Sequence, residues 1–196
     1  MRMRLVPLAL TLLAPVVPAS AAVITFDGLQ TPSAFTGPYA ESGFSVSPAS
    51  NQWIVWTGYG NPAPAIVFIN PDTAFETNAQ IEVTAGGRLF TFESVDLYSS
   101  ISPIPFGFVG LLNSTVVLSQ MGGLPNTFGN FRTVSVNSTQ PIDTLLITVG
   151  NPSTAPFPTV NPAGLDNVVV NRVPEPTTVV LMTAGLAVVA RRMKRR

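Results

Sequence analysis

Short apolar runs separated by turn-forming residues fill the middle of the chain, from residue 22 to residue 172, and this rhythm limits the fold more than any other feature. The chain has 15 Gly and 19 Pro in 196 residues, and no stretch of this region carries the apolar stripe of a long amphipathic helix. Several runs alternate with a period of two instead. Val134 and Val136 share one face of a predicted strand, while Ser135 between them faces the other way.

These runs predict strands at Val23–Phe26, Phe44–Ser47, Trp53–Thr57, Ala65–Ile69, Ile81–Ala85, Leu89–Tyr98, Phe106–Leu112, Thr115–Ser119, Phe131–Asn137, Thr144–Val149 and Leu165–Asn171. Many short strands with turns between them are typical of two packed antiparallel sheets. The sequence therefore predicts an all-β domain over residues 22–172, with the architecture of a jelly-roll-like antiparallel β-sandwich.

Charged residues make up only 10% of the chain, and they are unevenly placed. Between residues 22 and 172, three arginines stand against nine acidic residues, which gives the predicted domain a net charge of −6. An acidic surface repels phosphate, so nucleic acid is excluded as a partner. The chain has no Cys and no His. This removes disulfides, thiol nucleophiles, the usual zinc sites and every catalytic arrangement that uses an imidazole base.

The first 21 residues have the three parts of a secretory signal peptide. Arg2 and Arg4 give a positive start, an apolar run follows, and Ala19 and Ala21 are the small residues that signal peptidase accepts before its cleavage point. We therefore predict that residues 1–21 form a signal helix, that cleavage follows Ala21 or the residue after it, and that the mature chain crosses the inner membrane.

Residues 173–196 also have three parts. Pro174, Glu175 and Pro176 form a stiff tripeptide, because each proline fixes its own φ and disfavours helix in the residue before it. Residues 177–190 are uncharged and mostly apolar, and as a helix they would span about 21 Å, less than the roughly 30 Å hydrocarbon core of a bilayer. A basic cluster follows: Arg191, Arg192, Lys194, Arg195 and Arg196. By the positive-inside rule this cluster stays cytoplasmic, so we expect a single membrane-spanning helix that holds the domain outside.

This order of Pro-Glu-Pro, short apolar helix and basic end resembles the PEP-CTERM sorting signal. The resemblance implies that exosortase, a membrane transpeptidase, recognises Pro174, Glu175 and Pro176, removes the tail and leaves the domain extracellular or at the cell surface. Such proteins occur in Gram-negative bacteria that make exopolysaccharide, so association with an exopolysaccharide or biofilm matrix is also implied. A plain C-terminal membrane anchor is the alternative.

Three aromatic residues lie close together in the sequence: Trp53, Trp56 and Tyr59. Flat aromatic faces stack on sugar rings, which makes these residues candidates for contact with carbohydrate. Trp53 and Trp56 are three positions apart and so face opposite sides of one strand. At least one of the two is therefore expected in the core.

One acidic residue, Asp27, follows the first predicted strand, and another, Asp166, lies in the last one. This pairing resembles jelly-roll carbohydrate-binding modules, in which acids near the first and last strands hold a structural calcium ion through carboxylate and carbonyl oxygens. The resemblance implies a calcium site at Asp27 and Asp166. The alternative is that both are turn residues that cap strands.

The sequence thus predicts an exported, non-enzymatic surface protein without catalytic residues. The alternative is a polysaccharide-acting enzyme, a glycosidase or lyase on the same sandwich, because glycoside hydrolysis needs only two carboxyl groups. The acids of this chain are scattered, and nothing marks a pair. Glu93 and Asp96, for example, fall on opposite faces of one predicted strand.

Overall fold

The computed structural model describes residues 21–30, 32–50, 53–58, 60–68, 78–128, 130–151, 161–174 and 185. Contacts within the chain define two units, Ala19–Val173 and a second unit that combines Met1–Pro18 with Pro174–Arg196. All the described strands lie in the first unit.

The described residues of this unit form thirteen β-strands. In chain order they are β1 (Ala21–Ile24), β2 (Ala34–Phe35), β3 (Tyr39–Glu41), β4 (Phe44–Ser50), β5 (Trp53–Trp56), β6 (Ala65–Phe68), β7 (Asn78–Thr84), β8 (Phe90–Ser99), β9 (Ile104–Leu112), β10 (Thr115–Leu124), β11 (Arg132–Ser135), β12 (Thr144–Gly150) and β13 (Ala163–Arg172). Seven strands form sheet A, in the order β11-β8-β13-β6-β5-β2, with β1 also paired to β13. Six form sheet B, in the order β10-β9-β12-β7-β4-β3. All these pairs are antiparallel, which confirms the predicted all-β sandwich.

The core lies between the two sheets and follows from the alternation of side chains along each strand. In β12, Leu145, Ile147 and Val149 are buried in the core, and the residues between them face outward. Two edge-to-face aromatic pairs join sheet A to sheet B: Phe90 with Phe44, at 5.3 Å between ring centroids, and Phe92 with Phe108, at 5.1 Å. Each such pair adds about 0.5–1.5 kcal/mol beyond its buried area, so these contacts help to fix the packing of the sheets.

The long predicted strands agree well with the observed ones. The predicted strand Leu89–Tyr98 corresponds to β8, and Leu165–Asn171 lies within β13. The sequence does not predict β2 and β3, because strands of two and three residues are too short to show a period.

The two predicted helices fall outside the described residues, except at Ala21, which lies in β1, and at Gly185, which is helical. These are the signal helix within residues 1–21 and the membrane-spanning helix within residues 173–196. Across the part of the chain that the structure describes, no helix is long and apolar enough to cross a bilayer.

A register shift in β13 shapes the outer face of sheet A, the face turned away from the core. Leu165 and Val168 both belong to the core although they are three positions apart, so the alternation is interrupted between them. Asn167 occupies this interruption with φ at 47°, in the left-handed region that asparagine tolerates. As a result, Asp166 and Asn167 both make their side-chain hydrogen bonds on the outer face.

Candidate functional site

Two aspartates face each other across neighbouring strands on the outer face of sheet A. Asp166 in β13 is the registered partner of Asp96 in β8. Both residues are buried, with 0% of Asp166 and 6% of Asp96 exposed to solvent. Like charges directly opposite each other in a sheet repel. This pair therefore needs compensating groups around it.

Asn61 and Asn167 supply that compensation in a matched way. The backbone N–H of Asn61 donates to Oδ2 of Asp166 at 2.7 Å, and that of Asn167 donates to Oδ1 at 2.8 Å. The side-chain amides of the same two asparagines donate to Oδ2 of Asp96, at 3.3 Å and 3.0 Å. Asn167 Nδ2 also donates to the carbonyl oxygen of Asn61 at 2.6 Å. The two asparagines thus bind both carboxyl groups and each other.

A threonine of β11 completes the group. Thr133 is the registered partner of Asp96 on the side away from β13, and its Oγ1 donates to Asp96 Oδ1 at 2.5 Å. We call these five residues the aspartate cluster: Asn61, Asp96, Thr133, Asp166 and Asn167. Among the described residues, no buried side-chain nitrogen or oxygen lacks a hydrogen-bond partner. The cluster therefore meets the condition under which buried polar groups are tolerated.

Burial raises the pKa of Asp166 from 3.8 to about 7. The N–H donors of Asn61 and Asn167 act in the opposite direction, and the negative charges of Asp27 and Asp96 add to the increase. Asp166 consequently exchanges its proton near neutral pH, whereas an exposed aspartate is fully ionised there.

Asp27 borders the aspartate cluster rather than belonging to it. Its side chain is exposed, and its charge contributes to the raised pKa of Asp166. The acid that holds the chain after β1 is Glu41, which accepts the N–H of Thr25 at 2.8 Å and that of Phe26 at 3.1 Å. Phe26 has a φ of 61°, a left-handed conformation that is rare for an aromatic residue. Glu41 therefore stabilises a strained backbone at this point.

The calcium hypothesis for Asp27 and Asp166 stays a prediction. Both carboxyl oxygens of Asp166 already accept backbone N–H groups, whereas calcium takes six to eight oxygen ligands. Within the described ranges, no group of three or more acidic, His or Cys side chains is placed to hold a metal ion. A calcium ion here would depend on backbone carbonyl groups and water for most of its ligands.

The two tryptophans lie on opposite faces of β5, as the alternation predicts. Trp53 is 0% exposed, packs against Phe68 with ring centroids 6.2 Å apart, and donates from Nε1 to the carbonyl oxygen of Gln80 at 3.2 Å. The hypothesis that Trp53 contacts carbohydrate is therefore wrong, because its ring is enclosed in the core. Trp56 is half-buried and lies on the opposite face. Tyr59 lies outside the described residues.

The register places Trp56 in line with the aspartate cluster. Trp56 pairs with Ala65 of β6, and Ile66 pairs with Leu165, the residue before Asp166. The ladder between β6 and β13 ends at that pair, and its continuation by one residue brings Ala65 beside Asp166. On this register, Trp56 and Ala65 lie in line with Asp166, Asp96 and Thr133, which pair across β13, β8 and β11. An aromatic ring beside fixed polar groups suits a flat ligand rich in hydroxyl groups.

The sequence does not identify Asp96 and Asn61 as neighbours of Asp166. Alternation in β8 does place Asp96 on the face opposite Val95 and Leu97. However, only the order of strands brings β8 beside β13, and a local pattern does not contain that order. Asn61 comes from a loop 105 positions away in the chain.

The fold is an antiparallel two-sheet sandwich, and the solved structures that it resembles include carbohydrate-binding modules. A "Carbohydrate binding module family29" is 10% identical with a TM-score of 0.44, and the match covers 80% of this chain and 90% of that one. CBM29_1 from Piromyces equi is 13% identical with a TM-score of 0.45, over 80% and 93%. The enzymatically active domain of tailspike protein 4 from bacteriophage CBA120 is 14% identical with a TM-score of 0.41, over 67% and 20%. At these values the likeness concerns the sheet architecture and says nothing of a ligand.

The C-terminal segment gives a more specific match than the fold does. Residues 172–196 match the family model of the PEP-CTERM protein-sorting motif. The prediction from the sequence is thereby confirmed, and the chain is a PEP-CTERM domain-containing protein. The matched region begins at Arg172, the last residue of β13. No curated protein matches the chain.

Proposed function

We propose that this chain is an exported surface protein that exosortase sorts, and that its sandwich binds extracellular polysaccharide without catalysis. The sorting motif at residues 172–196 is the observation that carries the first part, since it indicates export and sorting to the envelope of a Gram-negative bacterium. The signal-peptide pattern of residues 1–21 supports it, because such a substrate must first cross the inner membrane. Signal peptidase and exosortase then process the chain at that membrane, and the domain ends in the exopolysaccharide or biofilm matrix.

Mass spectrometry of the mature protein from its native host tests the sorting. The mature chain should begin near Ala22 and lack residues 191–196. Replacing both Pro174 and Pro176 with Ala should block removal of the tail, whereas neutralising the basic cluster should weaken retention in the membrane. An intact basic tail on the mature protein of a host that has exosortase would contradict the proposal.

Polysaccharide binding is proposed for the row that contains Trp56 and the aspartate cluster. Trp56 offers half-buried aromatic surface, and Asn61 and Thr133 are exposed polar residues of the same face. The buried carboxyl groups beneath hold Asn61 and Thr133 by hydrogen bonds. Polar groups fixed in advance lose little entropy when a ligand binds, which favours recognition at this face.

Binding suits this geometry better than catalysis does. A general acid and a nucleophile or base must reach the glycosidic oxygen and the sugar or its attacking water. Asp96 and Asp166 are buried, and their oxygens accept hydrogen bonds from Asn61, Asn167 and Thr133. The alternative glycosidase or lyase activity predicts that the purified domain shortens the polysaccharide, which size-exclusion chromatography would detect.

A sedimentation assay with the domain 22–173 and exopolysaccharide of the host tests the binding. Trp56→Ala should weaken binding about tenfold or more, because loss of one buried large side chain removes about 1.5–3 kcal/mol. Met121→Ala is the matched control, since Met121 is 84% exposed on sheet B. Equal effects of the two substitutions, or none from Trp56→Ala, would contradict the assignment of this face.

A further inference from the structure

Two of the three arginines between residues 22 and 172 meet at one end of the sandwich. Arg88 lies in the connection from β7 to β8, and Arg172 is the last residue of β13. A Cβ atom on Gly43, in the turn between β3 and β4, would overlap Nη2 of Arg172 and would lie 3.5 Å from Nη2 of Arg88. The two guanidinium groups therefore lie side by side over this glycine, although they are far apart in the sequence.

The surroundings hold both side chains in place. The guanidinium carbon of Arg172 lies 5.7 Å from the centroid of the Phe44 ring, a cation–π contact, and its Nη2 donates to the carbonyl oxygen of Ser42. Arg88 is exposed, and its Nε donates to the carbonyl oxygen of Ala85 at 3.4 Å. A guanidinium has five N–H donors, so each group keeps donors for a ligand.

No carboxylate among the described residues accepts a hydrogen bond from this pair, because the described bonds of both arginines go to backbone carbonyl oxygens. Two acids that flank these segments are bound elsewhere. Glu41 accepts the N–H groups of Thr25 and Phe26, and Glu93 accepts the side-chain amide of Asn171. Two adjacent cations repel each other, and an anion between them removes this repulsion. In a domain whose acids outnumber its arginines nine to three, the unmatched pair indicates a ligand from outside.

We propose that Arg88 and Arg172 bind the carboxylate of a uronic acid in the exopolysaccharide. This inference deepens the proposed function and rests on it for the polymer. A guanidinium presents paired N–H donors in a planar fork that matches the two oxygens of a carboxylate. Gly86 and Gly87, just before Arg88, leave room for the sugar ring, since a Cβ atom at either would meet no described atom within 4 Å.

The arginine pair is distinct from the row that contains Trp56. Arg172 comes six positions after Asp166 in β13, which corresponds to about 20 Å along an extended strand. One sugar cannot span that distance, whereas an extended polymer can contact both places. The net charge of −6 repels a dense polyanion, so the expected polymer carries its acidic sugars at intervals among neutral ones. The pair then selects acidic polymers, while Trp56 contacts sugar rings of either kind.

The test compares two forms of one polymer with the protein purified from its host. These are the exopolysaccharide of that host and the same material after chemical reduction of its carboxyl groups to hydroxymethyl groups. In a sedimentation assay, reduction should weaken binding of the wild type about tenfold or more, because hydrogen bonds to a charged group are lost. Arg88→Ala should weaken binding to the natural polymer to a similar degree and leave binding to the reduced polymer unchanged.

Arg132→Ala is the matched control, since it removes the same charge from the third, exposed arginine. It should leave the preference for the natural polymer intact. Arg172→Lys keeps the charge but lacks the planar fork, so it should reduce that preference without abolishing it. Far-UV circular dichroism checks that each variant is folded.

The outcomes separate this inference from the proposed function. Equal binding of the two polymers by the wild type, or a host polymer without uronic acid, would overturn the arginine site and leave polysaccharide binding in place. Equal losses from Arg88→Ala and Arg132→Ala would also overturn it, because net charge would then be the cause. Binding that depends on Arg88 to vesicles of phosphatidylglycerol, but not to the natural polymer, would assign the pair to a lipid surface instead. Absence of binding to both polymers would contradict the proposed polysaccharide binding as well.

Discussion

The outer faces of the two sheets use polar residues in different ways. On sheet A, Asp96 and Asp166 are buried and share two asparagines as hydrogen-bond donors. On sheet B, Gln80 and Thr148 are half-buried, and Gln80 Nε2 donates to Thr148 Oγ1 at 2.9 Å across the strands. A buried polar group that loses its partner costs about 1–3 kcal/mol, whereas an exposed group can bond to water instead. The outer face of sheet A is therefore sensitive to substitutions that remove a hydrogen-bond partner, and the outer face of sheet B tolerates them.

This difference has a structural cause and a functional meaning. The segment between β5 and β6 brings Asn61 over the acids of sheet A. Apolar residues at the same positions would avoid the cost of burying two carboxyl groups. A polar cluster that core packing does not require is typical of a functional site, which is why we propose that the outer face of sheet A binds the ligand.

The largest contrast between the faces is expected in the pH dependence of stability. The pKa of Asp166 in the folded state, about 7, lies above its ordinary value of 3.8, so the folded state binds the proton more tightly. The protonated carboxyl group therefore contributes its whole stabilisation below about pH 4. As the pH rises toward 7, this contribution is lost, and the free energy of unfolding falls by up to about 1.4 kcal/mol per pH unit. Urea unfolding should show wild-type protein to be less stable at pH 8 than at pH 5, and Asp166→Asn should reduce this difference.

Glu82→Gln, a substitution on the outer face of sheet B, is the matched control for this measurement. It should leave the pH dependence close to that of the wild type, because Glu82 is half-buried and remote from the aspartate cluster in sheet order. An unchanged pH slope in Asp166→Asn would show that burial does not raise the pKa of this carboxyl group.

A smaller effect is expected at Asn167. Asn167→Ala removes the amide that binds Asp96 and Asn61, and it places alanine at a φ of 47°. We expect the free energy of unfolding to fall by about 1–3 kcal/mol. Asn167→Gly should cost less than Asn167→Ala, because glycine adopts the left-handed conformation freely.

The comparison with sheet B gives the control for Asn167. Gln80→Ala breaks a half-buried side-chain pair whose remaining partner can bond to water, and it should change the free energy of unfolding by no more than about 0.5 kcal/mol. Urea denaturation of all three variants at one pH provides the values. Equal costs of Asn167→Ala and Gln80→Ala would remove the proposed distinction between the faces.

The sequence predicts the local part of this contrast. Its period-two alternation correctly places Asp96 opposite Val95 and Leu97, and it requires that Trp53 and Trp56 face opposite sides. It does not say which tryptophan is in the core, because either face of an isolated strand can be the buried one.

The remainder of the site depends on relations that no local pattern contains. Asp96 meets Asp166 only because β8 and β13 are neighbours in sheet A, and Asn61 meets them from a loop 105 positions before Asp166. The left-handed conformation of Asn167 is also not predictable from the sequence, since asparagine occurs in many other conformations. Asp166 and Trp56 were therefore predictable as candidates, and their partners were not.

The smallest effect on the stability of the fold is predicted for the binding of calcium. If Asp27 and Asp166 share one ion, calcium at ten times its dissociation constant should stabilise the fold by about 1.4 kcal/mol, because the unfolded chain lacks the site. Calcium and the proton compete for Asp166, whose pKa is about 7, so the gain in melting temperature should be larger at pH 8 than at pH 5.5. Asp166→Asn should abolish the gain.

Asp96→Ala is unsuitable as a control, because Asp96 shares Asn61 and Asn167 with Asp166; Glu82→Gln on sheet B serves instead. A melting temperature of the wild type that calcium leaves unchanged at pH 8 would reject the calcium site and leave the proton as the ion that the aspartate cluster binds.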